Sequence, residues 1–377
     1  MKSIDGDQAW TSLARAERSQ WEADRFEADV FPIVHSPRFP IARDARFFCM
    51  GSCFARNIEE HLIYLGLNVL SKRIVAPAEE WPARTTGLVN KFTSESILNE
   101  VRWALTPPDA GDPLLYSQVA EGWLDLQLAP GVRPVSLDRA VERRTYLTHN
   151  YFARLRSADI VVLTLGLNEV WKDHARDVYL NVAPTLWEVR RNKGRYSLEI
   201  TDVAANLAAL VAIREVIKTL NPSARMIVTV SPVPLSGTFS GVDIVRANTL
   251  SKAVLRAAAE AFVQDHDDVD YFPSYEIVTH SPRHRAYAHD RLHVMDDVVG
   301  AIMGLFTRLY IGEIEPVAPG FRDLAYLAAN PDIEAVVRLG HFESGLEHWL
   351  KHGRDEGRLM VPAVATDLMK AAGVGGA

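Results

Sequence analysis

Four short segments of this chain hold residue types that can perform acyl transfer. Gly51-Ser52-Cys53-Phe54-Ala55 offers a thiol and a hydroxyl side by side after a glycine. If that segment turns from a strand into a helix, the helix N-terminus adds backbone N–H groups and a positive dipole end. Both lower the pKa of a thiol and can hold an oxyanion. Asp290-Arg291-Leu292-His293 pairs a carboxylate with an imidazole. In that pairing Asp290 fixes the ring's tautomer and His293 takes the proton of a nucleophile. Gly166-Leu167-Asn168-Glu169 can supply a Gly166 N–H or the Asn168 amide to a developing oxyanion, and Glu169 can line a substrate pocket. The loop Thr86-Gly87-Leu88-Val89-Asn90 can add a further donor from Gly87 or Asn90. Each piece alone has an ordinary structural explanation. Ser52 is a good helix N-cap, Cys53 a small core residue, and Gly-x-Asn a common turn. Their order along the chain favours the catalytic reading.

The elements that must position these groups are legible as apolar runs. Phe47-Phe48-Cys49-Met50 reads as a buried strand ending at Gly51, followed by a helix from Arg56 to Leu65 that stops at Gly66. Asp159 to Leu165 and Met226 to Val230 are two more buried strands, and a short one lies at 269–272. Helices are expected at 202–220, 245–265 and 295–310, with Asn248 and Ser251 acting as caps near the start of the second. Strands alternating with helices predict an α/β fold. The expected form is a three-layer α/β/α sandwich around a mostly parallel sheet, plus a small helical module at the C-terminal end. Ligands in such folds bind beyond the carboxyl ends of the strands, and all four segments sit at those ends or in loops that could reach them. Residues 1–44 read as a leader packed on the core of a domain spanning 45–312. Residues 108–158 read as an insertion beside the site, and 313–320 as a linker. Residues 321–360 read as two amphipathic helices capped at Asn330-Pro331-Asp332, and 361–377 as a flexible tail.

Composition narrows the class. A net charge of -7 argues against nonspecific binding to nucleic acid or an anionic membrane. Two cysteines exclude a disulfide-rich secreted scaffold and a structural zinc site. His348, Trp349 and His352 read as packing or surface residues, so neither a metal nor another cofactor is expected. The N-terminus has no apolar core of a signal peptide, and no run of about 18 apolar residues spans a membrane. The expected location is cytoplasmic, where a thiol stays reduced.

Gly51-Ser52-Cys53-Phe54-Ala55 matches the motif that names the GSCFA family, which is grouped with the SGNH (GDSL-like) hydrolases. Gly87-Leu88-Val89-Asn90, Thr164 to Trp171, Val230-Ser231-Pro232-Val233, Asn248 with Ser251-Lys252, Tyr271 to Glu276 and Tyr287 to His293 resemble it too, covering roughly 45–310. The resemblance implies an SGNH/flavodoxin-like fold. It also implies a triad completed by His293 and Asp290, with oxyanion donors at Gly87 and Asn168. Glu169 stands where that pattern usually has Asp, and Val294 where it often has Pro. Laying Gly-Asp-Ser over Gly51-Ser52-Cys53 puts Cys53 at the nucleophile, so Cys53 is favoured over Ser52. The implied activity is that of an acyl-ester hydrolase or acyltransferase, acting on an O-acylated sugar or glycan. The sugar is suggested by residues 321–360, which resemble a helical module found with bacterial glycosyltransferases, a candidate partner. The competing reading is a non-catalytic scaffold or glycan-binding protein of surface-polysaccharide biosynthesis.

Overall fold

The computed structural model describes residues 3–14, 23–72, 74, 77–82 and 87–361. Among the described residues, ten strands form: β1 (Arg46–Gly51), β2 (Asn68–Val69), β3 (Ser117–Val119), β4 (Gly122–Leu124), β5 (Ile160–Leu165), β6 (Glu169–Asp173), β7 (Val178–Leu180), β8 (Tyr196–Ile200), β9 (Arg225–Val230) and β10 (Val269–Tyr271). The apolar runs make a five-stranded sheet in the order β10-β9-β5-β1-β2, parallel throughout. Its side chains alternate between two cores, as the pleat demands. Phe47, Cys49, Ile160, Val162 and Ile227 face one layer. Phe48, Met50, Val161, Leu163 and Met226 face the other. Burial on both faces is why these strands read as unbroken apolar runs. Helices α1 (Cys53–Tyr64) and α5 (Asp296–Tyr310) cover the first face. Helices α2 (Ser94–Leu105), α3 (Val203–Leu220) and α4 (Ile244–Gln264) cover the second. The fold is therefore a three-layer α/β/α sandwich.

Counted along the chain, the sheet order is 2-1-3-4-5, a doubly wound arrangement. Chain direction across the sheet reverses between β1 and β5, which opens a crevice at their carboxyl ends. Gly51 ends β1 directly opposite Thr164 of β5. It has φ +142°, and a Cβ there would lie 2.3 Å from the Thr164 carbonyl oxygen. Gly51→Ala should lose roughly 2–4 kcal/mol through backbone strain and overpacking combined. Urea unfolding checks this, and a change below about 0.5 kcal/mol would show that the crevice tolerates bulk at that point.

Two antiparallel pieces lie outside the expected strands. Residues 169–200 form a three-stranded sheet ordered β7-β6-β8, and β3 with β4 makes a hairpin inside the 108–158 segment. Helix α1 starts at Cys53 rather than at Arg56. In the leader, Phe31, Phe39 and Ile41 are buried, and the Ile41 N–H donates to the Tyr310 carbonyl at 2.7 Å. At the C-terminal end, three short helices replace the expected two: Asp323–Ala329, Pro331–Arg338 and Gly345–His348. They share a small core of Phe321, Tyr326, Leu327, Ile333, Val337 and Leu346, into which Tyr64 of α1 also packs. The Asp323 N–H donates to the Tyr64 hydroxyl at 2.9 Å. The expected flexible tail lies, beyond Val361, outside the described residues. Among the described residues, no helix is long and apolar enough to cross a membrane.

Candidate active site

Ser52 and Cys53 sit where β1 turns into α1, and the turn gives them different tasks. Ser52 is the N-cap, with extended backbone. Its hydroxyl accepts from the Phe54 N–H at 3.4 Å and donates to the Ser231 hydroxyl at 2.9 Å. It is buried at 4 % exposure. Cys53 is the first helical residue, is only partly buried, and takes no part in a disulfide. Its thiol therefore belongs to the positive end of the helix dipole. The second cysteine, Cys49, points into the core, and burial pushes its thiol well up, away from the thiolate.

The Asp290–His293 pair is built by a tight loop. Asp290 Oδ1 accepts the N–H groups of Leu292 at 2.9 Å and His293 at 3.0 Å. Oδ2 lies 2.5 Å from His293 Nδ1. Arg291 takes φ +59° to make this turn, and the Ala288 N–H donates to the His293 carbonyl at 2.8 Å. The bond to His293, followed by the two N–H bonds, holds the Asp290 carboxyl well below the usual carboxylate range. With Nδ1 engaged, Nε2 is the nitrogen left to take a proton from a nucleophile. The Tyr287 hydroxyl pins this loop by donating to the Pro232 carbonyl at 3.0 Å.

Ser52, Cys53, Ser231 and His293 line one cavity of about 840 Å³, with Gly166 and Leu167 from the end of β5. Two segments of the insertion and of the antiparallel sheet, 124–132 and 181–185, close its other side. The other expected donors, Asn168, Gly87 and Asn90, are not among the residues lining this cavity. Asn168 is buried, and its amide Nδ2 donates to the Thr201 carbonyl at 3.0 Å, tying the start of β6 to the end of β8. Gly87 has φ +105°, with Asn90 and Trp81 against the face where a Cβ would be. Asn90 gives its carbonyl to Asn181 Nδ2 at 2.8 Å. Thr86 lies outside the described residues. Phe92, a little further along, occupies the wall in their stead. The loop still braces the nucleophile turn, because the Lys91 N–H donates to the Gly51 carbonyl at 2.8 Å. Gly166 is on the wall, and a Cβ there would meet the Phe92 carbonyl at 2.8 Å. Glu169, expected in the pocket, instead accepts from the Thr238 hydroxyl and from the Phe239 N–H at 2.8 Å. It thereby fixes the loop after β9 that forms part of the wall.

The expected caps of α4 have different work, because Asp243 caps that helix. Asn248 Oδ1 accepts the Leu235 N–H at 3.1 Å and Ser251 Oγ accepts the Asn168 N–H at 3.1 Å. Lys252 Nζ donates to the carbonyls of Gly166 and Val233, each at 2.8 Å. Burial pushes the Lys252 amine down to about 7, and the charge of Cys53 opposes that fall. These groups join the loops after β5 and β9 beneath the cavity. Ser231 was visible in sequence only as part of a resemblance. Among the described residues, no group of three or more His, Cys, Asp or Glu is placed to hold a metal ion.

Among solved structures, the chain is similar to a carbohydrate esterase family 3 protein from Talaromyces cellulolyticus. The TM-score is 0.31 at 12% identity, covering 70% of this chain and 95% of that one. An acetyl esterase mutant with acetate ion gives TM-score 0.31 at 12% identity, covering 69% and 93%. An acetyl xylan esterase from the rumen bacterium Butyrivibrio proteoclasticus gives TM-score 0.24 at 12% identity, covering 62% and 56%. No curated protein matches the chain. The GSCFA family profile matches residues 46–306, and the chain belongs to the GSCFA family.

Proposed function

We propose that this chain is an SGNH-type acyl-ester hydrolase or acyltransferase with a Cys53–His293–Asp290 triad. The observation that carries the reading is convergence at the sheet's switch point. A helix-leading thiol and a carboxylate-bound imidazole, far apart in sequence, line one cavity. The Ser52 hydroxyl, meanwhile, is occupied by Ser231 and by its capping bond.

In the proposed reaction His293 Nε2 takes the Cys53 proton and the sulfur attacks the ester carbonyl. The imidazolium that forms is stabilised by Asp290. The oxyanion is held by N–H groups of the helix N-terminus and of the Gly166 turn. Collapse releases the alcohol, which carries off the proton from His293, and leaves a thioester on Cys53. Water or a second hydroxyl then takes the acyl group by the same steps in reverse. An O-acylated sugar or glycan is the proposed alcohol side, on the strength of the C-terminal module's resemblance alone. The purified chain should hydrolyse p-nitrophenyl acetate above the rate of an equal concentration of free thiol at neutral pH. Turnover no faster than free thiol, for this ester and for O-acetylated sugars, would return the protein to the scaffold reading.

A further inference from the structure

We infer that the acyl group this cavity takes is a hydrocarbon chain longer than acetyl, laid along the wall built by residues 124–132, 167 and 182. The inference rests on the acyl-transfer reading above. A cavity of about 840 Å³ is of the size that encloses whole small molecules, so an acetyl group would leave most of it empty. Leu126, Ala129, Val132, Leu167, Val182 and Val233 are on its walls, and among the described residues no lysine or arginine is.

Asp125, Asn181, Thr185 and Thr238 of the wall are already bonded to the protein's own groups. Asp125 Oδ2 accepts from Arg144 at 2.8 and 2.5 Å, and its Oδ1 from the Gln127 N–H at 2.9 Å. Asn181 Nδ2 donates to the carbonyls of Asn90 and Leu128 at 2.8 and 3.1 Å. Its Oδ1 accepts from the Phe92 N–H at 3.0 Å and the Ser96 hydroxyl at 3.1 Å. Thr238 gives its hydroxyl to Glu169, and Thr185 to Glu188. A sugar ring in this space would find the Asn181 amide and the Asp125 carboxylate largely engaged, and any of its hydroxyls left unpaired would cost free energy. A hydrocarbon chain asks nothing of them. Phe239, 62% exposed and set edge-on to Trp171 at 5.4 Å, carries the apolar surface out to the rim. A polar alcohol such as a sugar would then stay at the open side, beside His293.

The test is a chain-length series of p-nitrophenyl acetate, butyrate and hexanoate with the full chain. Each methylene that finds the wall should raise kcat/KM by about fourfold until the space is filled. Hexanoate should therefore exceed acetate by roughly tenfold or more. Val182→Trp, which fills the wall, and Val182→Asp, which makes it polar, should each pull the hexanoate-to-acetate ratio back toward one. A wild-type ratio at or below one, or a ratio untouched by both variants, overturns the inference. A second arm needs no catalysis: hexanoate should slow carboxamidomethylation of Cys53 by iodoacetamide at concentrations at least about tenfold below those of acetate. Esters turned over with acetate preferred would sink the chain pocket and leave the triad standing. Preferential protection by hexanoate with no ester turned over would do the reverse, and equal protection by both acids also sinks the pocket.

Discussion

Cys53→Ala is expected to lower kcat/KM for ester hydrolysis by about 10⁴-fold or more, while Ser52→Ala lowers it by less than roughly tenfold. The contrast follows from what each side chain touches. Cys53 stands at the first position of α1 and lines the cavity. Ser52 is turned to Ser231 and to its own helix. Ser52→Ala should therefore appear in stability instead, at about 1 kcal/mol for a lost N-cap. A stopped assay with each purified variant, alongside its urea midpoint, separates the two effects. Abolished turnover in Ser52→Ala, with Cys53→Ala active, would assign the nucleophile to the hydroxyl and invert the account.

The second large effect is at the imidazole. His293→Ala should cost about 10³-fold in kcat/KM, within the range for loss of a general base. Asp290→Asn keeps the shape of the loop but removes the charge, and its amide can donate where the carboxylate accepted. A loss of about 10²–10⁴-fold is expected, because the ring then favours the wrong tautomer. The pH dependence follows from the sign of the Asp290 shift. Its pKa is depressed, so the carboxylate stays ionised at pH values below the ordinary carboxylate range. The loop geometry it supports is lost only when pH falls through that lowered value. No acid limb of kcat/KM in the ordinary carboxylate range is therefore expected from Asp290. Wild-type kcat/KM following a single ionisation in the ordinary carboxylate range, and unmoved in position by His293→Ala, would contradict this.

The sandwich was legible in the sequence for a simple reason. Strands buried on both faces are apolar at nearly every position, so Phe47 to Met50 and Ile160 to Leu165, with only Thr164 polar, stand out from the charged chain around them. Strands of the antiparallel sheet do not. Glu169-Val170-Trp171-Lys172-Asp173 buries only Val170 and Asp173, and its partners are set by pairing with distant segments that carry no local signal. The triad candidates were legible because their contacts are local or lie on a sharp turn. Asp290 and His293 are close in sequence and share one turn, and Cys53 directly follows a capping residue. The supporting groups were not. Asn168, Glu169 and Lys252 are polar residues near strand ends, and sequence cannot say whether such a residue faces a ligand or a carbonyl of the next loop. In this structure Asn168 is bonded to Thr201, Glu169 to Thr238 and Phe239, and Lys252 to Gly166 and Val233.

The most direct test of the central claim is capture of the acyl-enzyme. The chain is mixed with p-nitrophenyl hexanoate, quenched in acid within the first turnovers, and digested for mass spectrometry. The account predicts one acyl group on the peptide carrying Ser52 and Cys53, fragmenting to Cys53 and released by neutral hydroxylamine as a thioester is. It also predicts no such adduct in Cys53→Ala. An acyl group mapped to Ser52, or rapid turnover of the ester with no acylated Cys53 at any quench time, would contradict it.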